Sequence, residues 1–501
     1  MQPLLTPGEM AAADAATIAS GTPGFTLMER AGRAVARAVI SLARHHYGLR
    51  VAVVCGKGNN GGDGFVAARV LHHHGAGVRC LLLADASEYL GDAATHLEIL
   101  THAGVAAEPF DARRLEGCDV VVDAIFGTGF RGAAEGRPAE AIEAINDAGA
   151  GVVAVDVPSG VAGETGTVEG PAVRAHVTVT LAAQKLGTAL APGSIYAGDV
   201  SVVDIGIAME GATAFMAEPD DIRRLLPARA RDAHKRNSGS VVVLAGSDGM
   251  SGAALLAARG ASRMGAGYVT LVSTSYVDHA KRAILPETVS RVTADHSELG
   301  PEVLDEFAAD IERAGAVALG PGMGRGKRQR ALVEAVLSEL PLPVVVDADA
   351  LNELADDVGP LVERSAPSVI TPHPGEMGML LGMSAAEIQA DRVAAARHAA
   401  DELGCAVVLK GAGTIVTDRG RPLLVNPTGG PELATAGTGD VLTGVIAALL
   451  AEGLDPADAA AAGAYVHGLA GTRAGLPTGG RGVVAWDVAE ALPGAVAELL
   501  G

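Results

Sequence analysis

Two stretches of this chain set glycines beside carboxylates, hydroxyls and a lysine in patterns that suit phosphate chemistry. In one, Ala436-Gly437-Thr438-Gly439-Asp440 opens the apolar run VLTGVIAALLA. Free N–H groups at such a helix N-terminus, helped by the macrodipole, form a seat for an anion. Asp440 next to that anion is costly as a passive acid. It fits better as a base that takes a proton from a hydroxyl attacking a phosphoryl group. An acid in the first helical turn also complements the macrodipole. The preceding Gly-Thr-Gly, together with the loop Lys410-Gly411-Ala412-Gly413-Thr414 at the end of an apolar strand, weighs for chemistry. His373 lies between two prolines in TPHPGE, a stiff setting that suits a positioned site residue.

The other stretch is Gly56-Lys57-Gly58-Asn59-Asn60-Gly61-Gly62-Asp63-Gly64, directly after the apolar run VAVVC. It satisfies GxGxxG between a strand and a helix, and its glycines permit unusual φ values and let N–H groups approach a phosphate at the helix N-terminus. The pattern is weak alone, and Asp85 is only a loose candidate for the ribose acid of a Rossmann site. Asn59, Asn60 and Asp63 add side-chain oxygens that a bare turn does not need. Asp123, the loop Gly127-Thr128-Gly129-Phe130-Arg131-Gly132-Ala133, the loop Asp156-Val157-Pro158-Ser159-Gly160 and a loop beginning at Lys185 also follow apolar runs. Loops at the carboxyl ends of parallel strands converge on one crevice. Asn60, Asp123 and Ser159 would then meet as oxygen ligands, which suit a hard cation. Desolvation could fit Asp156 to a general-base role, and capping of the next turn explains it equally well.

These loops need elements to hold them. Apolar runs at 51–55, 78–83, 119–126, 151–157, 176–182 and 199–205 alternate with helical stretches, and so do runs at 240–246, 268–273, 316–320, 343–348, 368–372 and 406–411. Continuous apolar strands between helices describe parallel sheets covered on both faces. Thr6-Pro7-Gly8-Glu9 predicts a capping box, and apolar spacing predicts a helix over 25–46. The Pro-containing, basic stretch over 222–240 reads as a solvated linker and places a domain boundary near 210–222. Domains of 1–212 and 222–501 follow. His72, His73 and His74 read as a solvated helix end, and Met and Leu around 377–383 as packing. GPGMGRGK lacks the spacing of a Walker A loop, which disfavours a P-loop kinase.

The 501 residues carry 38 Lys and Arg against 59 Asp and Glu, a net charge of −21. Such a chain is a poor candidate for nucleic acid or an anionic membrane, so any phosphate must be held locally. Only 3% of residues are aromatic while 49% are hydrophobic, much of that Ala, which points to close-packed helices on sheets. Four scattered cysteines without CxxC spacing argue against zinc or a disulfide framework and for a reducing, cytoplasmic compartment. No signal peptide and no membrane span is expected. Alanine-rich helices suggest a homo-oligomer.

Taken together, the motifs resemble the bifunctional NAD(P)H-hydrate repair family, in which an epimerase is fused to a nucleotide-dependent dehydratase. GKGNNGGDG (56–64), VVDAIFGTGFRG (121–132), AVDVPSG (154–160) and QKLG followed by APGSIYAGDVSVVDIGI (184–207) carry it in the first half. HKRNSGSVVVLAGS (234–247), MSGAALLAARGASRMGAGYVTL (250–271), ALGPGMG, VVVDADALN, TPHPGE, KGAGT and AGTGD carry it in the second. The resemblance implies two three-layer α/β domains, a Rossmann-like epimerase and a ribokinase-like dehydratase. Substrates would be the R and S forms of hydrated NADH and NADPH (NADHX and NADPHX), with ADP as co-substrate. By resemblance, Asn59, Asn60, Gly61, Gly62 and Asp63, the loop Gly127 to Ala133, and Asp156 hold substrate in the first half. Potassium ligands map to Asn60, Asp123 and Ser159, and Asp156 to the proton-transfer group. In the second half, substrate contacts map to Ala253, Gly322, His373 and Asp440. Nucleotide contacts map to Lys410, Gly411, Ala412, Gly413, Thr414 and Gly439, with Mg2+ beside the transferring phosphate. Asp440 would deprotonate the substrate's C6 hydroxyl. GVAGETG (160–166) matches the family pattern only loosely, and the HKRNSG start departs from it.

Two other readings share these features. One is a ribokinase-type small-molecule kinase with an accessory domain, which shares the GTGD logic. The other is a dinucleotide-binding scaffold without catalysis, against which Asp440 and Asp156 speak.

Overall fold

The computed structural model describes residues 1–45, 47–209, 211–228, 238–294 and 297–501. It resolves into two compact units, Gln2–Ala214 and Phe215–Gly501, the latter grouped with Met1.

The N-terminal unit contains β1 (Gln2–Leu5), β2 (Arg50–Cys55), β3 (Gly77–Leu82), β4 (Ala107–Pro109), β5 (Val120–Ala124), β6 (Gly151–Val155), β7 (Val177–Leu181), β8 (Gln184–Lys185) and β9 (Asp199–Val203). Seven of these form a wholly parallel sheet in the order β4-β3-β2-β5-β6-β7-β9. The order reverses direction at β2, with Val51 registered against Val78 on one side and Val120 on the other. That topological switch point opens a crevice at the carboxyl ends of β2 and β5. Val51, Val53, Phe65, Val122 and Val153 pack the core between sheet and helices. The strands are apolar on both faces because helices cover both. Thr6 closes the expected capping box with Glu9, and the second helix spans Gly24–Ala43.

The C-terminal unit contains β11 (Ser240–Leu244), β12 (Tyr268–Ser273), β13 (Val289–Val292), β14 (Ala316–Leu319), β15 (Val344–Val346), β16 (Ser368–Ile370), β17 (Ala406–Leu409), β18 (Thr414–Thr417) and β19 (Leu423–Asn426); β10 (Ala214–Met216) leads into it. The strand order is β13-β12-β11-β14-β15-β16-β17-β18-β19, parallel as far as β17 and antiparallel beyond. Helices Ser251–Met264, Thr438–Ala451, Pro456–Gly475 and Ala485–Leu500 bury an alanine-rich face against it. Two of them touch backbone to backbone. A Cβ on Gly444 would lie 2.0 Å from the Ala257 carbonyl oxygen, and one on Gly260 2.4 Å from that of Val441.

The segment expected to be a linker is in part folded. Pro219–Leu225 is a helix capped by Glu218, and Ile222 is buried in the C-terminal core. Amphipathic packing of Ile222 and Leu226 overrides the basic composition. Residues 229–237, which hold the His234-Lys235-Arg236-Asn237 start of one motif, lie outside the described residues.

Candidate active sites

The second half of the GxGxxG stretch is helix. Its helix begins at Asn59, with Gly58 as N-cap, and runs to His73. None of Gly56, Gly58, Gly61, Gly62 or Gly64 has a positive φ, so the conformational freedom that glycine permits is not used there. At all of these except Gly58, glycine is required by contact. A Cβ on Gly61 would lie 1.9 Å from the Gly56 carbonyl oxygen, and one on Gly62 2.5 Å from Met28 Sδ. The helix can therefore start hard against the end of β2, and Asn59, Asn60 and Asp63 project from its first two turns.

They face a cavity of about 790 Å³, whose wall also holds Gly127 to Arg131, Asp156 and Lys185. That volume lies in the upper part of the range of about 300–1,000 Å³ typical of ligand pockets. Gly61 and Gly62 are buried, while Gly132 and Ala133 are exposed and do not line it. Asp85 caps a short 3-10 turn through Glu88 and does not line it either.

Asp123, Ser159 and Asn60 meet around one peptide. Ser159 Oγ donates to Asp123 Oδ1 at 2.6 Å, Ser159 N to Asp123 Oδ2 at 2.8 Å, and Ile125 N to Asp123 Oδ1 at 3.2 Å. The Phe126 N–H donates to Ser159 Oγ at 2.9 Å, and Asn60 Nδ2 donates to the Phe126 carbonyl at 2.7 Å. Asp123 is fully buried, and burial pushes its carboxyl up to about 6 against the pull of those hydrogen bonds. Among the described residues no cationic side chain pairs with it. An all-oxygen set around a carboxylate with no cationic partner suits a hard cation, which Asn60, Asp123 and Ser159 would hold.

Asp156 stands at the end of β6 with φ of +69°, a conformation Asp tolerates better than most residues. Its Oδ1 accepts the Leu181 N–H at 3.1 Å and the Lys185 ammonium. Lys185 is 1% exposed and also donates to the Leu181 carbonyl at 2.8 Å. The candidate general base thus carries a buried cation. Sequence reasoning put a loop at Lys185 without a role for it.

In the C-terminal unit Gly437, at φ of +93°, is the N-cap of helix Thr438–Ala451, so Asp440 sits in its first turn as expected. Burial, then the nearby Asp347 charge, pushes Asp440 up to about 7, with Lys410 opposing. A Cβ on Gly439 would lie 3.4 Å from Lys410 Nζ, which places the lysine over the turn. Lys410 Nζ is 2.9 Å from Asp347 Oδ1 and 3.7 Å from Glu376 Oε2. Burial alone would lower Lys410; the Asp347 and Glu376 carboxylates outweigh it and hold the ammonium above its ordinary value.

His373 is an exposed N-cap. Its Nδ1 accepts from Gly375 N at 3.0 Å and Glu376 N at 3.2 Å, while Glu376 Oε2 accepts the His373 N–H at 2.8 Å. Ala253 and Gly322 are neighbours, since a Cβ on Gly322 would lie 2.9 Å from that of Ala253. The Lys410–Gly413 loop is braced from beneath by Arg392, which donates to the Ala412 carbonyl at 2.9 Å. Thr414 begins β18. Arg392, Asp347, Thr443 and His467 escaped the sequence reading. His467 is buried and is pushed down to about 4 by burial, against an opposing pull from the Thr438 backbone.

A switch-point cavity with paired ionisable groups and a helix-start turn with a buried carboxylate define a two-site, nucleotide-handling α/β enzyme. Residues 241–493 match the family model for NAD(P)H-hydrate dehydratase, and residues 24–187 that for the YjeF-related protein N-terminus. The bifunctional NAD(P)H-hydrate repair enzyme of Moorella thermoacetica is 42% identical, over 94% of this chain and 92% of its own length. That of Coxiella burnetii is 37% identical, over 94% of each chain. A ribokinase-like superfamily protein from Enterococcus faecalis superposes with a TM-score of 0.51 at 24% identity, covering 58% of this chain and 98% of its own, which shows the fold of the C-terminal unit. The chain belongs to the bifunctional NAD(P)H-hydrate repair enzyme family.

Proposed function

We propose that the N-terminal unit interconverts the R and S forms of hydrated NADH and NADPH, and that the C-terminal unit dehydrates the S form at the expense of ADP. The observation that carries the second half is Asp440 in the first turn after Gly437, with its carboxyl pushed to about 7. A base poised near neutrality can take the C6 hydroxyl proton as that oxygen attacks the terminal phosphorus of the nucleotide. AMP leaves. The phosphorylated ring then loses phosphate from C6 and a proton from C5, which restores the dihydropyridine. Turn N–H groups at Gly437 to Gly439 and the Lys410 ammonium face the charge that develops on the transferring group. Lys410, the loop to Thr414 and Gly439 are assigned to the nucleotide, and Ala253, Gly322 and His373 to the hydrated coenzyme. Asp347 and Glu376 are oxygen donors of the class Mg2+ takes alongside phosphates and water, and the ion would neutralise phosphate charge.

In the N-terminal unit the cavity of about 790 Å³ supports binding, Asp156 the proton transfer, and the Asn60, Asp123 and Ser159 cluster K+. Four free thiols fit a reducing, cytoplasmic setting. The test incubates the chain with the S epimer, Mg2+ and ADP, and quantifies products. AMP, phosphate and NADH in equal amounts support the reading. ADP consumption without NADH, or phosphorylation of an ordinary alcohol instead, would overturn it in favour of a small-molecule kinase.

A further inference from the structure

This inference rests on the epimerase reading and names the groups that move protons in it. Three buried ionisable side chains line the N-terminal cavity: Asp63, Asp156 and Lys185. Lys185 Nζ is fully committed, to Asp156 Oδ1, to the Leu181 carbonyl at 2.8 Å and to Thr180 Oγ1 at 3.4 Å. Both bonds to Asp156 fall on Oδ1, so Oδ2 accepts none from the described residues. Asp63 receives no hydrogen bond from them either. Two carboxyls and one cation in a single desolvated cavity do not both ionise cheaply, and the cation sits on Asp156. Burial, then the Asp156 charge and Asp14 across the cavity, hold the Asp63 carboxyl well above the usual carboxylate range, with Lys185 opposing. The other charged groups on the wall are Asp92, the exposed Lys57, and Arg131, which is paired with Glu164 at 3.0 Å.

We propose that Asp63 and Asp156 are an acid–base couple for epimerisation, Asp63 the proton donor and Asp156, held by Lys185, the acceptor. C6 of the hydrated ring carries both a hydroxyl and N1. Asp156 takes the hydroxyl proton, C6=O forms as the C6–N1 bond breaks, and the freed electron pair on N1 takes the Asp63 proton. Rotation about C5–C6 turns the other face of the aldehyde towards N1. N1 then attacks C6 and returns its proton to Asp63, while the aldehyde oxygen regains one from Asp156. No oxidant is needed and no net proton is consumed. Lys185 acts through Asp156 and is a positioning residue.

The test follows the R-to-S ratio by chromatography with the full chain and no nucleotide, over a pH series, for wild type, Asp63→Asn, Lys185→Met and Lys185→Arg. Asp63→Asn is expected to slow turnover about 100-fold and remove the alkaline limb of the kcat/KM profile. Lys185→Met is expected to move the acid limb up by about one pH unit or more, and Lys185→Arg to leave it near the wild-type position. An alkaline limb that persists in Asp63→Asn, or an unmoved acid limb in Lys185→Met, overturns the couple. Should Lys185→Met fail to fold by circular dichroism, the Asp63→Asn limb decides. Wild-type protein that leaves the ratio drifting at its uncatalysed rate overturns the epimerase reading itself, a result distinct from either.

Discussion

Lys410 and Asp347 form an ion pair of 2.9 Å although β16 lies between the strands that deliver them. The same carboxylate accepts the Thr443 hydroxyl at 2.6 Å, so Asp347 ties the lysine to the helix that carries Asp440. Its charge also helps to push Asp440 up to about 7. Asp440 is active as a base only when ionised, so dehydration should fall as pH drops through about 7. Asp347→Asn removes a like charge and frees Lys410 for Asp440. Both effects lower the Asp440 carboxyl, and the acid limb of the dehydratase pH profile should move down by about one unit. A limb that moves up would contradict the network.

Potassium should stabilise the N-terminal unit, and more strongly at high pH. Asp123 has a folded-state value of about 6, raised above that of the unfolded chain. A raised carboxyl costs stability once ionised, so the cost is absent below the unfolded value of about 4 and complete above about 6. A bound cation offsets it there. Melting in KCl against tetramethylammonium chloride should show a higher transition in K+ at pH 8 and little difference at pH 4. Equal shifts at both would argue against Asp123 as a ligand.

His467 predicts acid sensitivity in the other unit. Burial holds it down to about 4, so it stays neutral in the fold while the unfolded chain takes up a proton below about 6.5. Stability contributed by the neutral ring is present above about 6.5 and is lost as pH falls towards 4, by up to about 3 kcal/mol. His467→Phe should flatten that slope in urea titrations at pH 7 and pH 4.5; an unchanged slope would assign the acid loss elsewhere.

Helix Thr438–Ala451 reaches its place because Gly444 lets it touch Ala257. Gly444→Ala puts a methyl within 2.0 Å of a carbonyl oxygen and should cost about 1–3 kcal/mol by overpacking. The urea midpoint of the C-terminal unit should fall accordingly, and ADP should bind more weakly because the anion turn rides on that helix.

Much of this was legible in sequence because parallel strands buried on both faces are continuous apolar runs, as in VAVVC and SVVVL. The positions of Asp440, Lys410 and Asp156 were legible too, since each follows such a run or opens a helix. What escaped depends on contacts between distant segments. NNGGD read as a loop because its glycines look like turn residues, whereas each serves a helix pressed against β2 and the Gly24–Ala43 helix. Lys185 carries no local sign of burial; its partner lies 29 residues away. The β18–β19 hairpin was missed because TIVT and LLVN are too short to stand out beside the loops flanking them.

The most direct test of the whole account is recovery of dihydronicotinamide absorbance from the R epimer of hydrated NADH alone, with Mg2+, K+ and ADP. Wild type should convert it completely, because N-terminal epimerisation feeds C-terminal dehydration. Asp156→Asn should proceed only at the spontaneous epimerisation rate, and Asp440→Asn should recover nothing. Full recovery by either variant, or none by the wild type, would contradict the account.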